Sequence, residues 1–168
     1  LHCAMNQLSN HDHSRFLTRT NHKAGRVEYL GAAAASEGVN YGVMREAALI
    51  QMTCPGAPAV YYGDEAGLCG FTDPDNRRTY PWGHENLELI DLHRELIRLH
   101  KENSAFRTGS FQFLDSEDDL LCYARFNREQ SFVMIVNNDD KEREKELSVF
   151  SAGIPLSATM RQRIVTTE

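Results

Sequence analysis

The sequence predicts an α/β region followed by an all-β region, and three observations carry that expectation. Short apolar runs alternate with helical patterns as far as Lys101. Each of those apolar runs ends in a cluster of charged residues. After Asn103 the helical period gives way to short alternating runs separated by turn signals. The chain accordingly divides into a strand–helix part, residues 1–103, and a β part, residues 104–168.

Ala4 to Leu8 is apolar, stops at charge and reads as a buried strand. Thr18 to Lys23 is polar and reads as loop. Arg26 to Ser36 contains Ala32 to Ala35, good helix formers, and Gly38 closes the segment. Asn40 is placed to cap a helix whose Val43, Met44, Ala47, Ala48 and Ile50 follow at helical spacing, ended by Pro55 and Gly56. The two segments are either separate helices or one helix broken at Gly38. Ala57 to Tyr62 is a short apolar run rich in Val and Tyr, expected as a parallel strand buried on both sides. Gly67 to Gly83 is long and irregular, with Asp73-Pro74-Asp75-Asn76-Arg77-Arg78 at its centre, and loops of that length usually carry function. Leu87 to Lys101 returns to helix with Leu89, Leu92, Leu96 and Leu99 on one face.

Strands are then expected at Ser110 to Leu114, Leu120 to Asn127, Ser131 to Asn137, Glu146 to Phe150 and Ala158 to Val165. That spacing suggests an antiparallel sandwich whose last strands are missing. The alternating charges of Lys141 to Glu146 read as a solvated hairpin end.

The chain is 41% hydrophobic and 25% charged with a net charge of -6, an ordinary globular composition. No basic stripe suits nucleic acid. No apolar run approaches the roughly 20 residues of a membrane span. Cys3, Cys54, Cys69 and Cys122 form no C-x-x-C pair, which argues against zinc and against a disulfide scaffold. Buried thiols suit a reducing, cytoplasmic compartment. The chain opens on Leu1 inside an apolar segment, as a piece of a longer protein does, so targeting information is expected elsewhere.

The densest chemistry lies in Asn10-His11-Asp12-His13-Ser14-Arg15, just after the first strand. A folding core has no use for such a cluster, whereas a loop at a strand end does. Alone, Asn-His-Asp is more often a turn or a helix cap. With Arg15 behind it, however, it resembles the motif that follows barrel strand seven in the α-amylase family of glycoside hydrolases. Pro55-Gly56-Ala57-Pro58-Ala59-Val60-Tyr61-Tyr62-Gly63-Asp64-Glu65 resembles that family's strand-eight segment. Asp73-Pro74-Asp75-Asn76-Arg77 resembles the following loop of its neopullulanase and cyclomaltodextrinase branch.

The resemblance implies the last two strand–helix units of a (β/α)8 barrel followed by an antiparallel β-sandwich C-terminal domain. It implies a parent that cleaves α-1,4 glucosidic bonds, or both α-1,4 and α-1,6 bonds, in starch, pullulan, maltodextrins or cyclodextrins, with retention. The family's nucleophile and acid/base follow strands four and five, so the isolated chain is expected to be inactive. Asp12 matches the transition-state-stabilising carboxylate and His11 its neighbour in the same subsite. Asp73 and Arg77 match residues that contact sugars further along, although the two could simply pair with each other. No cofactor or metal is expected here; the resemblance allows a calcium ion in the parent.

Trp82 either stacks on a sugar or packs under the loop. Arg15 is expected as a structural ion-pair partner, His13 as a loop residue, and Asp64 and Glu65 as structural carboxylates. The expected partner is an α-glucan oligosaccharide or cyclodextrin, with self-association through uncovered strand edges and no nucleic acid or membrane. The rival reading is a non-catalytic module that binds glucan or holds a partner.

Overall fold

The computed structural model describes residues 4–117 and 119–165, with the side chain of residue 117 left aside. Strands β1 (Met5–Gln7) and β2 (Ala57–Ala59) pair in parallel, Asn6 opposite Pro58. Between them lie α1 (Phe16–Arg19), α2 (Val27–Leu30), a 3-10 turn at Ala32–Ala35 and α3 (Tyr41–Thr53). Asn40 caps α3 by accepting from the Val43 N–H at 3.1 Å, so the two helical segments are separate. Gln51, buried on α3, donates to the carbonyls of Asn6 (3.2 Å) and Ala59 (2.7 Å), fastening the helix across both strands.

After the long loop, α4 (Leu87–Glu102) starts at Asn86, whose side chain accepts from the Leu89 N–H at 2.9 Å. Its buried Leu89 and Leu96 pack with Met44, Ala48 and Met52 of α3 in neighbouring core clusters. A short helix, α5 (Ser104–Thr108), leads into an antiparallel sheet of β3 (Ser110–Glu117), β4 (Leu120–Phe126) and β5 (Ser131–Asn137) in that order. Phe106, Tyr123 and Met134 form its core against α5.

Two buried side chains join sheet and helices. Tyr123 on β4 meets the Thr53 hydroxyl at the end of α3 at 2.5 Å, and Thr53 in turn donates to Leu49 O at 2.7 Å. Arg125, fully buried, donates to the carbonyls of Thr53 (2.6 Å), Phe106 (2.8 Å), Gly109 (3.3 Å) and Ser110 (3.3 Å). Four carbonyl dipoles solvate a charge that burial alone would disfavour.

The fold departs from expectation in identifiable places. Thr18 and Arg19 are helical, because the Ser9 hydroxyl accepts from the Phe16 N–H at 2.9 Å and starts a turn there. The Arg26 to Ser36 segment breaks at Gly31, whose φ of 78° cannot continue a helix. The strand expected over Ala57 to Tyr62 is only Ala57–Ala59 and is not buried on both sides: Ala57 is exposed and Val60 is 38% exposed. In a two-stranded sheet each strand is an edge, so nothing among the described residues covers its far side.

The strands expected at Glu146 to Phe150 and Ala158 to Val165 do not form among the described residues, and no second sheet faces the first. A 3-10 turn at Phe150–Ala152 replaces the first of them. Val149, Ala152 and Ile154 instead lay their side chains on Ala124, Phe126 and Val133. Gly153 at φ 70° and Pro155, which lacks an N–H, oppose pairing there. Cys69 and Cys122 are buried and Cys54 half-buried, while Cys3 lies outside the described residues. No helix among the described residues is long and apolar enough to cross a membrane.

Replacing Tyr123 with Phe removes the hydroxyl from Thr53 inside the core. It should lower unfolding free energy by about 1–3 kcal/mol, the cost of a lost buried hydrogen bond, in urea titrations. An unchanged midpoint would contradict this role.

Candidate functional site

The loops after β1 and β2 are built around Arg15. Its side chain is fully buried, and its Nη1 donates to the Tyr62 carbonyl at 2.7 Å and to Asp64 Oδ1 at 3.1 Å. Its Nε donates to the Asn76 carbonyl at 2.9 Å, and its backbone N–H to the Gly70 carbonyl at 2.9 Å. The guanidinium also lies over the rings of Tyr61 (4.6 Å) and Tyr62 (4.8 Å), whose π faces favour a cation. One side chain from the first loop thus holds three points of the second. Gly70 belongs to this closeness: a Cβ there would stand 2.5 Å from the Asp75 carbonyl oxygen.

Asp64 is the acid in contact with Arg15 and is 5% exposed. Burial pushes its carboxyl up, from the ordinary 3.8 to about 6, against the Ser9 hydroxyl and the Arg15 guanidinium, which both hold it down. The structural role expected of Arg15 and Asp64 is therefore the one they have. Glu65 is likewise structural, accepting from the Gly63 N–H at 2.9 Å and hydrogen-bonding the Tyr80 hydroxyl.

Arg15 fixes where the Asn10–His13 turn sits. Asn10 Oδ1 accepts from the N–H groups of Asp12 (2.9 Å) and His13 (3.2 Å), closing an Asx turn that lifts His11 and Asp12 into solvent. Their side chains are 60% and 67% exposed, with His11 Nε2 3.3 Å from Asp12 Oδ1. His13 is an exposed loop residue, as expected.

The second loop closes on this turn from the side through a 3-10 turn at Asp75–Arg77. Arg77 donates its Nη2 to the His11 carbonyl at 3.4 Å and its Nε to Asp73. Asp73 and Arg77 therefore do pair with each other, and the pair stands beside His11 and Asp12. Asp73 holds the Arg77 guanidinium above its ordinary value, and the Asp12 charge adds to that. Arg78 donates its Nε and Nη2 to the two carboxylate oxygens of Asp75, at 2.9 and 2.8 Å, and its Nη2 also reaches the Ala32 carbonyl at 2.8 Å, bracing the loop on the first 3-10 turn.

Trp82 is not packed under the loop. It is 75% exposed, with its ring 4.5 Å from that of Tyr80, and offers a free apolar face. His11, Asp12, Asp73 and Arg77 come together, two acceptor carboxylates around donors on open ground. The residue missed from sequence is Asn76, fully buried in the second loop and bonded to two carbonyls of the first. Within a charged hexapeptide it looks like a turn residue, and no spacing signal marks it. No group of three or more His, Cys, Asp or Glu among the described residues is placed to hold a metal ion.

Comparison with known proteins gives a consistent result. Residues 2–148 match the α-amylase catalytic-domain family, so the match runs past Asn103 into the antiparallel sheet. An amylopullulanase of Thermoanaerobacter thermohydrosulfuricus is 37% identical over 121 residues, covering 72% of this chain and 8% of that protein. Neopullulanase 2 of Thermoactinomyces vulgaris is 33% identical over 152 residues, 88% of this chain and 23% of its own. The crystal structure of a debranching enzyme from Nostoc punctiforme superposes with a TM-score of 0.73 at 30% identity, over 89% of this chain and 27% of that one. The chain thus spans under a third of the length of each of these proteins.

The Asp64 carboxyl carries a pH signature. A folded-state value raised above 3.8 means that its contribution to stability is full below that pH and lost as pH rises through about 6. Compared with Asp64→Asn, the unsubstituted chain should lose up to about 3 kcal/mol of unfolding free energy between about pH 4 and about pH 7. Urea titrations of both proteins across that range measure it; a difference that stays constant, or moves the other way, would contradict the burial of Asp64.

Proposed function

This chain belongs to the α-amylase family of glycoside hydrolases and is akin to its neopullulanase and cyclomaltodextrinase branch, and on that footing we propose that it forms one arm of an α-glucan-cleaving site. In this reading β1 and β2 are neighbouring strands of a (β/α)8 barrel, α3 and α4 are its helices, and residues 104–168 begin a β-sandwich domain. The loops after β1 and β2 then open on the end of the barrel where such enzymes bind substrate. The observation that supports it is the convergence of Asp12, His11, Asp73 and Arg77 on one exposed surface, held from beneath by Arg15.

Retaining hydrolysis passes through an oxocarbenium-like sugar, and hydrogen bonds to the 2-hydroxyl that tighten at that point supply several kcal/mol. The Asp12 carboxylate accepts from sugar hydroxyls and faces the developing positive charge, while His11 beside it donates to a neighbouring hydroxyl. Asp73 and Arg77 offer an acceptor and a planar forked donor to a sugar further along the chain. Trp82 presents a ring face suited to stacking. The nucleophile and the acid/base belong to other strands of the whole enzyme, so this chain alone binds and does not cleave. The substrates are α-1,4-linked and also α-1,6-linked glucans, including cyclodextrins.

The purified chain should release no reducing sugar from maltotriose or pullulan above a blank. Maltoheptaose should nevertheless quench or shift Trp82 fluorescence and move the His11 and Arg77 resonances, and Asp12→Ala should abolish the effect. Binding that survives Asp12→Ala and is lost on changes within β3 to β5 would instead favour a non-catalytic glucan-binding module.

A further inference from the structure

We propose that Asn76 is a positioning residue for Asp12, an inference that rests on the reading of Asp12 as a sugar-binding carboxylate. Asn76 is fully buried, and its Nδ2 donates to two carbonyls of the turn that carries Asp12: His13 O at 2.9 Å and Asn10 O at 3.3 Å. Its own carbonyl receives the Arg15 Nε at 2.9 Å, and Arg77 beside it donates to His11 O at 3.4 Å. The carbonyls of Asn10, His11 and His13 therefore all receive donors from the Asp75–Arg77 turn. Asp12 itself lacks such a tie; its backbone N–H is held by Asn10, whose carbonyl Asn76 holds.

The chemistry makes the amide specific. Both atoms facing Nδ2 are carbonyl oxygens, so only a donor fits there, and a flipped amide would set oxygen against oxygen. The site is also packed, since the Asn76 Cα lies 2.9 Å from where a Cβ on Gly70 would stand. A buried group with fixed partners restrains the turn more firmly than the exposed Asx bonds within it, which compete with water. Without the Asn76 amide the turn keeps its local hydrogen bonds and the exposed Arg77 contact to His11 O, and loses its two buried ties to the second loop. Asp12 and the Asp73–Arg77 pair then cease to hold a fixed distance, and two contacts on one glucan chain become two independent ones.

Backbone 15N relaxation tests this in the unliganded chain. Order parameters at Asp12 and His13 should be near 0.85, the rigid-backbone value, and fall below about 0.6 in Asn76→Ala and in Asn76→Asp. The aspartate keeps the volume but turns an acceptor toward the two carbonyls. Tyr123→Phe, which weakens the fold elsewhere, should leave both amides rigid, separating positioning from general loosening. The unsubstituted chain gives a reading that needs no variant to fold. The Asn76 side-chain amide protons should exchange at least about tenfold more slowly than those of exposed Asn138, as buried hydrogen bonds require. Unchanged order parameters in either folded Asn76 variant, an equal fall in Tyr123→Phe, or equal exchange at Asn76 and Asn138 would overturn the proposal. None of these readings involves a glucan. Failure of maltoheptaose to bind would therefore sink the functional reading while leaving the role of Asn76 to be judged by the turn alone.

Discussion

The geometry of the whole surface depends on one guanidinium taken out of water between two loops. Arg15 cannot shed its proton, so a buried position obliges the surrounding chain to supply acceptors. It does so at Nε and Nη1 with the Asn76 and Tyr62 carbonyls and the Asp64 carboxylate, while Nη2 is buried without a hydrogen-bond partner and the guanidinium lies against the faces of two tyrosines. Such a pair adds little net stability, because desolvation consumes much of the Coulombic gain. The raised Asp64 carboxyl is the visible part of that cost. What the arrangement provides is register: the first loop cannot move without leaving a charge unsolvated.

Around this centre the labour is divided by burial. Arg15, Asp64, Ser9 and Asn76 are buried and have no access to a ligand. Asp12, His11, Asp73 and Arg77 are exposed and have few internal duties, apart from the pairing of Asp73 with Arg77. Recognition of a sugar transition state depends on acceptors and donors that need not reorganise when charge develops. A rigid polar layer beneath open carboxylates meets that need. The same layer joins residues far apart in sequence, since Asn10 and Asn76 are bonded across 66 positions.

Much of this was legible in the sequence where local physics decides. The Asn40 cap, the α4 leucine face, the charged strand ends and the first three antiparallel strands all follow from spacing and turn chemistry, and all are present. The failures lie where tertiary contacts overrule pattern. Glu146 to Phe150 and Ala158 to Val165 alternate like strands, yet Val149 and Ile154 gain more by covering the β4–β5 face than by pairing. Arg15 reads as an ion-pair partner, but nothing along the chain points to Asp64, 49 residues away, as its acid. Asn76 is the clearest case. An asparagine after Asp-Pro-Asp reads as a turn former, and only the fold shows that it faces inward.

The central claim is that Arg15 is sealed between the two loops, and NMR of its Nε–H at neutral pH tests it most directly. The resonance should be slow to exchange with solvent and displaced by the rings of Tyr61 and Tyr62, with cross-peaks to Asn76. An Nε–H that exchanges as fast as that of exposed Arg94, at an undisplaced shift, would mean that the two loops are not joined and that the site has no fixed geometry.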